Sequence, residues 1–254
     1  MNVLYVIGIG SQNNNNELRY SLRMLEKNGI GLENVVISGN IPSWVNRKNV
    51  ICIDCKDIGP QNKHWNMSHK INEAIKALDF GSKDFLYSSD DHFIHKPVDL
   101  NAWPRYERGY IYTEQEYAET NGKNPGLYQR AMSATRKLLE DNDFPFVNYV
   151  CHMHMHLNAE YWHEAYELMQ KYKEDCTYGF EPMAVCNNIQ VHKNLELDLD
   201  VKHLTKDVKC NSPAEMDNAM CLQPMFSTTD RFFGCGSTLK WFKKNYGEKC
   251  SYEI

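Results

Sequence analysis

The chain has 254 residues, of which 42% are hydrophobic and 24% charged, and this balance is typical of a globular protein with one sizeable core. Its net charge of −5 excludes a global attraction to nucleic acid or to an anionic membrane, though not a local basic patch. The first residues, MNVLYVIGIGS, lack the basic segment of a signal peptide, and no apolar run approaches the roughly 18 residues of a membrane span. Because the nine cysteines are scattered and no export signal precedes them, we expect a cytoplasmic protein with reduced thiols.

The first half of the chain alternates short apolar runs with amphipathic segments. The runs predict strands at 2–7, 34–38, 49–54 and 84–88, and the segments predict helices at 17–28 and 67–79. Strands that alternate with helices form a mostly parallel sheet with helices on both faces. The predicted fold class is therefore α/β.

The second half is less regular and predicts an α+β arrangement. Residues 101–117 are aromatic and polar, and RGYIYTE (108–114) predicts a hairpin. Helices are predicted at 126–141, at 158–173 behind an Asn158 cap, and at 237–245, while residues 193–215 resemble a linker. We interpret 1–100 and 101–254 as two halves of one domain.

Two polar clusters follow predicted strands, where open α/β sheets bind their ligands. The first is GIGSQNNNN (8–16), in which Gly8, Gly10 and Ser11 would let a ligand approach the backbone closely. The start of the next helix offers free N–H groups to a phosphate, and Arg19 and Arg23, one turn apart, could reach one anion. The pattern is neither a P-loop nor a GxGxxG motif, so a glycine turn before a solvated helix face is the alternative.

The second cluster is SSDDH (88–92), with two adjacent carboxylates at a strand end. Neighbouring carboxylates repel each other, and a cation relieves that repulsion. Asp90 and Asp91 could therefore hold Mg²⁺ or Mn²⁺ against the phosphates of a nucleotide diphosphate. The alternative is an aspartate-rich turn, since Ser and Asp favour turns.

The segment CHMHMHLN (151–158) places three histidines at a spacing of two. On a strand, His152, His154 and His156 would share one face and could bind a transition metal. The alternative is a half-exposed strand with one functional histidine or none.

Several segments, in this order along most of the chain, resemble motifs of the Stealth-type and capsular-polysaccharide transferases, a group of GT-A-like nucleotide-sugar enzymes. They are NELRYSLRMLEKNGIGLENVVISGNIPSWV (16–45), LYSSDDHFI (86–94), VNYVCHMHMHLNAEYW (147–162), FSTTD (226–230) and NYGEKCSYEI (245–254). The chain departs from the group in three places. Ser89 stands where asparagine is usual, Glu181 stands where arginine is expected, and IGIGS replaces an opening motif with Trp-Val-Asp.

The resemblance implies a GT-A-like, Rossmann-like fold and a short, stand-alone glycosyltransferase with a nucleotide-diphospho-sugar donor. The first half, 1–100, would bind this donor, and 101–254 would lie on the acceptor side. Asp91 and Asp90 would hold Mg²⁺ or Mn²⁺, and His154 or Asp230 would act as the catalytic base. The implied donor contacts are Gly8, Gly10, Ser11, Arg19, Arg23, Asn66, Lys70, Ser89, Asp90 and His92, with His152, His156, Glu181 and Asn187 as secondary candidates.

Other interpretations stay open at this point. A hexose-1-phosphate transferase would use the same donor site, and a saccharide acceptor could be replaced by a DNA base. A binding-only relative would keep the fold without turnover, and a histidine-strand metal protein would have no transferase activity.

Overall fold

The computed structural model describes residues 1–11, 13–59, 63–78, 84–194, 199–204 and 209–254, apart from the side chains of Leu222 and Asp230. The described strands are β1 (Asn2–Ile7), β2 (Gly29–Ile30), β3 (Asn34–Gly39), β4 (Ile51–Asp54), β5 (Asp84–Ser88), β6 (His92–Ile94), β7 (Val98–Asp99), β8 (Arg105–Glu107), β9 (Met155–Asn158), β10 (Val201–His203) and β11 (Met225–Ser227). The described α-helices are α1 (Asn16–Asn28), α2 (Lys63–Ala77), α3 (Glu114–Asn121), α4 (Leu127–Glu140), α5 (Ala159–Lys171), α6 (Pro182–Lys193), α7 (Pro213–Leu222), α8 (Asp230–Phe233) and α9 (Gly236–Tyr246). None of the described helices is long and apolar enough to cross a lipid bilayer.

The central sheet has five strands in the order β4–β3–β1–β5–β9. Neighbouring strands are parallel except for β9, which runs antiparallel to β5. The strand β1 is apolar along its length because both faces of the sheet are covered, and Val3, Leu4 and Tyr5 are fully buried. This architecture confirms the predicted α/β class with a mostly parallel sheet.

Helices cover both faces of this sheet. The apolar stripe of α1, which includes Leu18 and Leu22, packs with Val3 on one face. On the other face, Ile71 and Ile75 of α2 pack with Leu4, together with buried residues of α5 and α6. Val3 and Leu4 pack on opposite faces of the sheet because successive side chains of a strand point to opposite sides.

The helix and strand predictions were accurate where the sequence is strongly periodic. The predicted bounds of α1, α4, α5 and α9 lie within two residues of those found, and the side chain of Asn158 caps α5 by accepting from the amide of Glu160. The helix α2 begins at residue 63 rather than 67, and the predicted end at residue 79 lies outside the described residues.

The predicted hairpin at 108–114 is wrong. Thr113 instead starts α3, where it forms a capping box with Glu116: its hydroxyl accepts from the Glu116 amide, and the Glu116 side chain accepts from the Thr113 amide. The strand β8 pairs in parallel with β10, and residue Tyr110 makes an isolated bridge to Val147. The spacing T-x-x-E is a helix-start signal that the aromatic residues around it obscured.

The predicted linker at 193–215 is also partly wrong. It contains β10 and the start of α7, while 195–198 and 205–208 lie outside the described residues. The helix α6, just before it, was not predicted. Its residues 182–190 are all buried, so the segment lacks the amphipathic period by which surface helices are recognised.

The second half contributes the edge strand β9 to the central sheet, and it also reaches the turn after β5 through a separate antiparallel pair of strands. The strand β6 follows β5 after the turn that contains Asp90 and Asp91, and β11 pairs with β6 so that Ser227 lies opposite His92. The residues after β11 are thereby brought beside the acid pair.

Candidate active site

A cavity of about 590 Å³ opens at the carboxyl ends of β1 and β5. This is the position where open α/β sheets bind ligands. The structure brings together here nine of the residues singled out from the sequence, namely Gly8, Gly10, Ser11, Asn66, Lys70, Ser89, Asp90, Asp91 and His152.

The acid pair lies in the turn between β5 and β6. Both acids are half-buried, and the side chain of Asp91 is 20% exposed. The carboxylate of Asp91 lies 3.9 Å from Nε2 of His92, and its backbone carbonyl accepts from the amide of Thr228 at 3.3 Å. The turn therefore contacts the second half of the chain through the backbone of Asp91 and the ring of His92 through the carboxylate of Asp91.

His92 lies beneath this turn rather than on the cavity wall, which corrects its predicted donor contact. Its side chain is 2% exposed, and its Nδ1 accepts from the amide of Ser89 at 3.3 Å. Burial holds the pKa of His92 well below its ordinary value, so the ring is neutral at neutral pH. The ring stacks on that of His154, with centroids 6.1 Å apart.

Cationic groups share the cavity with the acids. Lys70 is 2% exposed, and its Nζ donates to the carbonyl of Ile7 at 3.0 Å and pairs with Asp57. Lys63 and Lys209 also line the cavity. An arrangement of carboxylates and ammonium groups of this kind suits a ligand that brings phosphates and a divalent cation together.

Asn66 shapes the cavity through the backbone of a neighbouring loop. Its Oδ1 accepts from the amide of Ile58 at 2.8 Å, and its Nδ2 donates to the carbonyl of Gly59 at 2.6 Å. These bonds hold the segment that presents Asp57 to Lys70. Its predicted contact with a donor stays a prediction.

The loop that contains Gly8 and Gly10 differs from a simple phosphate-binding loop. A side chain at Gly10 would meet no atom within 4 Å, so the glycines leave open space at the cavity. The start of α1, however, carries the buried carboxylate of Glu17, which accepts from Ser11 Oγ at 3.3 Å and from the amide group of Asn13. An acidic side chain already complements the helix dipole there, so a phosphate at this end of the loop would meet a like charge.

Arg19 and Arg23 do share one anion, but the anion belongs to the chain itself. Arg23 donates two hydrogen bonds of 2.6 and 2.8 Å to the carboxylate of Glu253, and Arg19 Nε lies 3.1 Å from the same carboxylate. Burial raises the pKa of Glu253, but the hydrogen bonds and charge of Arg23 and the hydrogen bonds from Cys250 together outweigh it, so the pKa is lowered. Neither arginine lines the cavity, so the structure gives no support to their predicted place in the donor site.

The three histidines of the HMHMH segment do not share one strand face, because β9 starts only at residue 155. His152 precedes the strand and lines the cavity. His154 is 2% exposed, lies 6.1 Å from the ring of Trp103, and has no hydrogen-bond partner for its ring nitrogens among the described residues. Burial lowers its pKa to about 3, and it lies off the cavity wall, so the structure gives no support to its predicted role as the base.

His156 has a structural environment on β9. Its Nε2 is 2.5 Å from the carbonyl of Trp103, and its Nδ1 lies 3.5 Å from the carboxylate of Asp84. Among the residues that the structure describes, no three His, Cys, Asp or Glu side chains converge into a metal-binding group. The geometry of the described residues therefore gives no support to the predicted histidine-strand metal site.

Glu181 and Asn187 also lie away from the cavity wall. Glu181 caps α6, and its Oε2 accepts from the amides of Met183 and Ala184 at 2.9 and 3.1 Å. Burial raises the pKa of Glu181 to about 7. Asn187 donates to the carbonyl oxygens of His156 and Met183 at 2.9 Å each, so both secondary candidates stabilise the fold.

Asp230 begins α8, and its side chain is outside what the structure describes, so its role stays a prediction. Sequence reasoning missed several residues of the cavity wall, namely Asn15, Glu17, Asp57, Lys63, Lys209, Thr228 and Thr229. Asp57 follows β4, and the two threonines follow β11. The rule that ligands bind beyond the ends of parallel strands would have found Asp57, but not the threonines, because β11 lies outside the central sheet.

Comparisons with known proteins give partial matches in sequence and distant matches in structure. No family model matches the chain. The chain is 35% identical over 96 residues to the N-acetylglucosamine-1-phosphotransferase subunits alpha/beta of Mus musculus, which is 35% of this chain and 7% of that protein. It is also 35% identical over 88 residues to an exopolysaccharide phosphotransferase of Streptomyces coelicolor, which is 32% of this chain and 15% of that protein.

The chain thus spans only a small part of the length of the curated relatives it matches, and within that part the resemblance seen in the sequence is confirmed. Solved structures of the galactosyltransferase LgtC are distantly similar. One, with donor and acceptor sugar analogs, has a TM-score of 0.44 and 12% identity over 88% of this chain and 79% of that chain. An active-site mutant of LgtC has a TM-score of 0.45 and 10% identity over 100% of this chain and 85% of that chain.

Proposed function

We propose that this chain is a metal-dependent transferase that takes a sugar group from a nucleotide-diphospho-sugar donor. The observation that carries the proposal is that Asp90, Asp91, Lys63 and Lys70 line one cavity at the carboxyl ends of a parallel sheet. A nucleotide diphosphate needs both kinds of group, since a cation and ammonium groups together neutralise its phosphates.

The acid pair fits a hard divalent cation. Its donor atoms are carboxylate oxygens, which Mg²⁺ and Mn²⁺ prefer over nitrogen or sulfur ligands. Asp91 and Asp90 would hold the ion, which when bound offsets the charge that develops on the leaving nucleotide.

The lysines have a separate part in the proposal. The ammonium group of Lys70 is fixed by Ile7 and Asp57, so it is a preorganised cation and hydrogen-bond donor at the cavity wall, with part of its charge offset by Asp57. Charge that is already in place costs no reorganisation when a phosphate arrives. Lys63 and Lys209 would extend this positive potential along the diphosphate.

His152 is the histidine that we place at the acceptor. It is exposed and lines the cavity, as Asp90 and Asp91 do. An imidazole can accept the proton of an attacking hydroxyl near neutral pH, which makes a histidine suited to general-base catalysis. Asp230 remains the second candidate for this step.

Two bonds of such a donor can break. Attack at the sugar carbon transfers the sugar alone and releases a nucleoside diphosphate, which is the glycosyltransferase reaction expected from the sequence. Attack at the sugar-linked phosphorus transfers the sugar phosphate and releases a nucleoside monophosphate. The names of the curated relatives, which are phosphotransferases, favour the second reaction, and the nucleotide product distinguishes the two.

Donor binding tests the proposal before any acceptor is known. UDP-, GDP- and CDP-sugars are added with Mn²⁺, and the midpoint of thermal unfolding is measured for the wild type, Asp91→Asn and Asp54→Asn. Asp54 is an exposed carboxylate paired with Arg47, and it controls for loss of a negative charge outside the cavity. At least one donor should raise the midpoint of the wild type and of Asp54→Asn but not of Asp91→Asn.

A wild type that responds to none of the donors would count heavily against the proposal. A full response in Asp91→Asn would remove the metal assignment and leave only a donor-binding cavity.

A further inference from the structure

A short segment of the second half, Thr228 and Thr229, runs beside the acid pair. In the antiparallel pair of β6 and β11, Ser227 lies opposite His92. The same register, continued by one and two residues, places Thr228 opposite Asp91 and Thr229 opposite Asp90. The hydrogen bond from the amide of Thr228 to the carbonyl of Asp91, 3.3 Å long, supports this continuation. Both threonines and both aspartates line the cavity.

The hydroxyl of Thr228 is buried without a partner. Its side chain is 0% exposed, and Oγ1 has no hydrogen-bond partner among the described residues. A buried hydroxyl without a partner costs about 1–3 kcal/mol, so folded proteins rarely retain one unless something else satisfies it. Thr229 differs in this respect, because its Oγ1 accepts from the amide of Phe232 at 3.2 Å.

Thr228 and Asp91 lie one residue beyond the paired ends of β11 and β6, where their backbone hydrogen bond continues the register and both residues line the cavity. Residues directly opposite on antiparallel strands extend their side chains on the same face, with Cβ atoms about 4.5–5.5 Å apart. Whatever Asp91 holds in the cavity is therefore also within reach of Thr228.

We infer that Thr228 Oγ1 is a third protein ligand of the divalent ion held by Asp90 and Asp91, an inference that rests on the proposed function. A neutral hydroxyl oxygen is a hard donor, and P-loop enzymes hold Mg²⁺ with a similar pair, a Ser or Thr hydroxyl and an Asp. No third His, Cys, Asp or Glu joins the acid pair in the described part of the chain, so a further ligand from that part is of another type.

The ion would then connect the two halves of the chain. Asp90 and Asp91 follow a strand of the central sheet, and Thr228 follows β11 in the second half. Binding of the metal alone should therefore stabilise the folded protein, because the ion binds a site that exists only when both halves are in place.

Thr228→Val tests the inference, with Thr238→Val as a matched control. Thr238 is also 0% exposed, and its Oγ1 also has no partner among the described residues, but it lies in α9 and does not line the cavity. Mn²⁺ alone is titrated into each protein, and the free ion is measured by electron paramagnetic resonance. Thr228→Val should weaken Mn²⁺ binding by about 10-fold or more, and Thr238→Val should bind as the wild type does.

Two further measurements separate a lost ligand from a lost fold. In EDTA, both valine variants should unfold near the wild-type temperature, because each replaces an unpartnered hydroxyl with a methyl group of similar size. Thr228→Ser retains the oxygen and should keep wild-type affinity for Mn²⁺. If Thr228→Val does not fold, Thr228→Ala replaces it in the titration.

Wild-type affinity for Mn²⁺ in Thr228→Val would overturn the inference. If Asp91→Asn loses Mn²⁺ binding in the same titration, only the Thr228 assignment has failed. If Asp91→Asn also binds as the wild type does, or the wild type binds no Mn²⁺, the metal site of the proposed function has failed with it.

Discussion

The acid pair after β5 and the arginine pair on α1 were both predicted to meet a bound donor, and the structure gives them different partners. Asp90 and Asp91 line an open cavity, whereas Arg19 and Arg23 close on Glu253 near the end of the same chain. For the arginines the local pattern predicted an anionic partner correctly, since both contact one carboxylate, whereas the cation expected at the acid pair stays a prediction. Only the fold determines whether the partner is a ligand or part of the protein.

The largest difference between the two regions should be in transfer activity, and it should come from substituting an acid of the pair. Asp91→Asn should lower kcat/KM for transfer by about 10³-fold, because metal stabilisation of the leaving group contributes several kcal/mol. Its free energy of unfolding in EDTA should stay near that of the wild type. Transfer kinetics with excess Mn²⁺ and urea denaturation measure the two quantities, and unchanged kinetics would remove Asp91 from the site.

Disrupting the arginine pair should instead lower stability and leave transfer activity unchanged. Glu253→Gln leaves two guanidinium groups without their carboxylate, and breaking a buried pair of this kind costs about 3 kcal/mol of stability. The transfer rate of the folded variant should not change. Urea denaturation of Glu253→Gln is compared with Glu33→Gln, which removes a carboxylate that is 58% exposed and paired with the N-terminus.

A loss of transfer activity in Glu253→Gln at full stability would reverse the assignment. The arginines would then belong to the donor site after all.

The histidines offer a second contrast between the cavity and the interior. His152→Gln should lower kcat by about 10²-fold, the typical contribution of a general base, with little effect on stability. His154→Gln should instead lower stability and leave the turnover of the folded fraction near the wild-type rate. Equal losses of kcat in both variants at equal stability would contradict a base on the cavity wall.

The smallest expected effect is a pH dependence of stability from His154. The folded-state pKa of about 3 lies below the unfolded value near 6.5, so the unfolded chain binds the proton more readily, and stability is lost as the pH falls below 6.5. Relative to His154→Phe, the wild type should lose about 1.4 kcal/mol between pH 7.5 and 5.5. Urea denaturation at both pH values measures it, and a parallel response of the two proteins would show that His154 titrates normally.

The sequence predicted helices and strands best where apolar residues recur with a clear helical or strand period. The strands β1, β3 and β5 and the helix α1 are recognised from local residues alone. The helix α6 was missed because it is buried on all sides, and α3 because aromatic residues concealed the capping box of Thr113 and Glu116.

Residues of the candidate site could be predicted from the sequence only where a single local segment supplies them. Asp90, Asp91 and Lys70 belong to the first half, and their place follows from the order of strands and helices. Lys209 and Thr228 reach the same cavity through the pairing of β6 with β11, a contact between residues more than a hundred positions apart. Such pairing depends on tertiary packing, which no local pattern records.

The most direct test of the central claim is the position of Mn²⁺ in a crystal of the wild-type protein with a nucleotide-diphospho-sugar that binds. Anomalous scattering locates the ion independently of the donor. The account predicts a peak in the cavity with a carboxylate oxygen of Asp91 or Asp90 about 2.1 Å away. A peak at the histidine segment, or an ordered donor diphosphate in the cavity with no metal beside either acid, would contradict it.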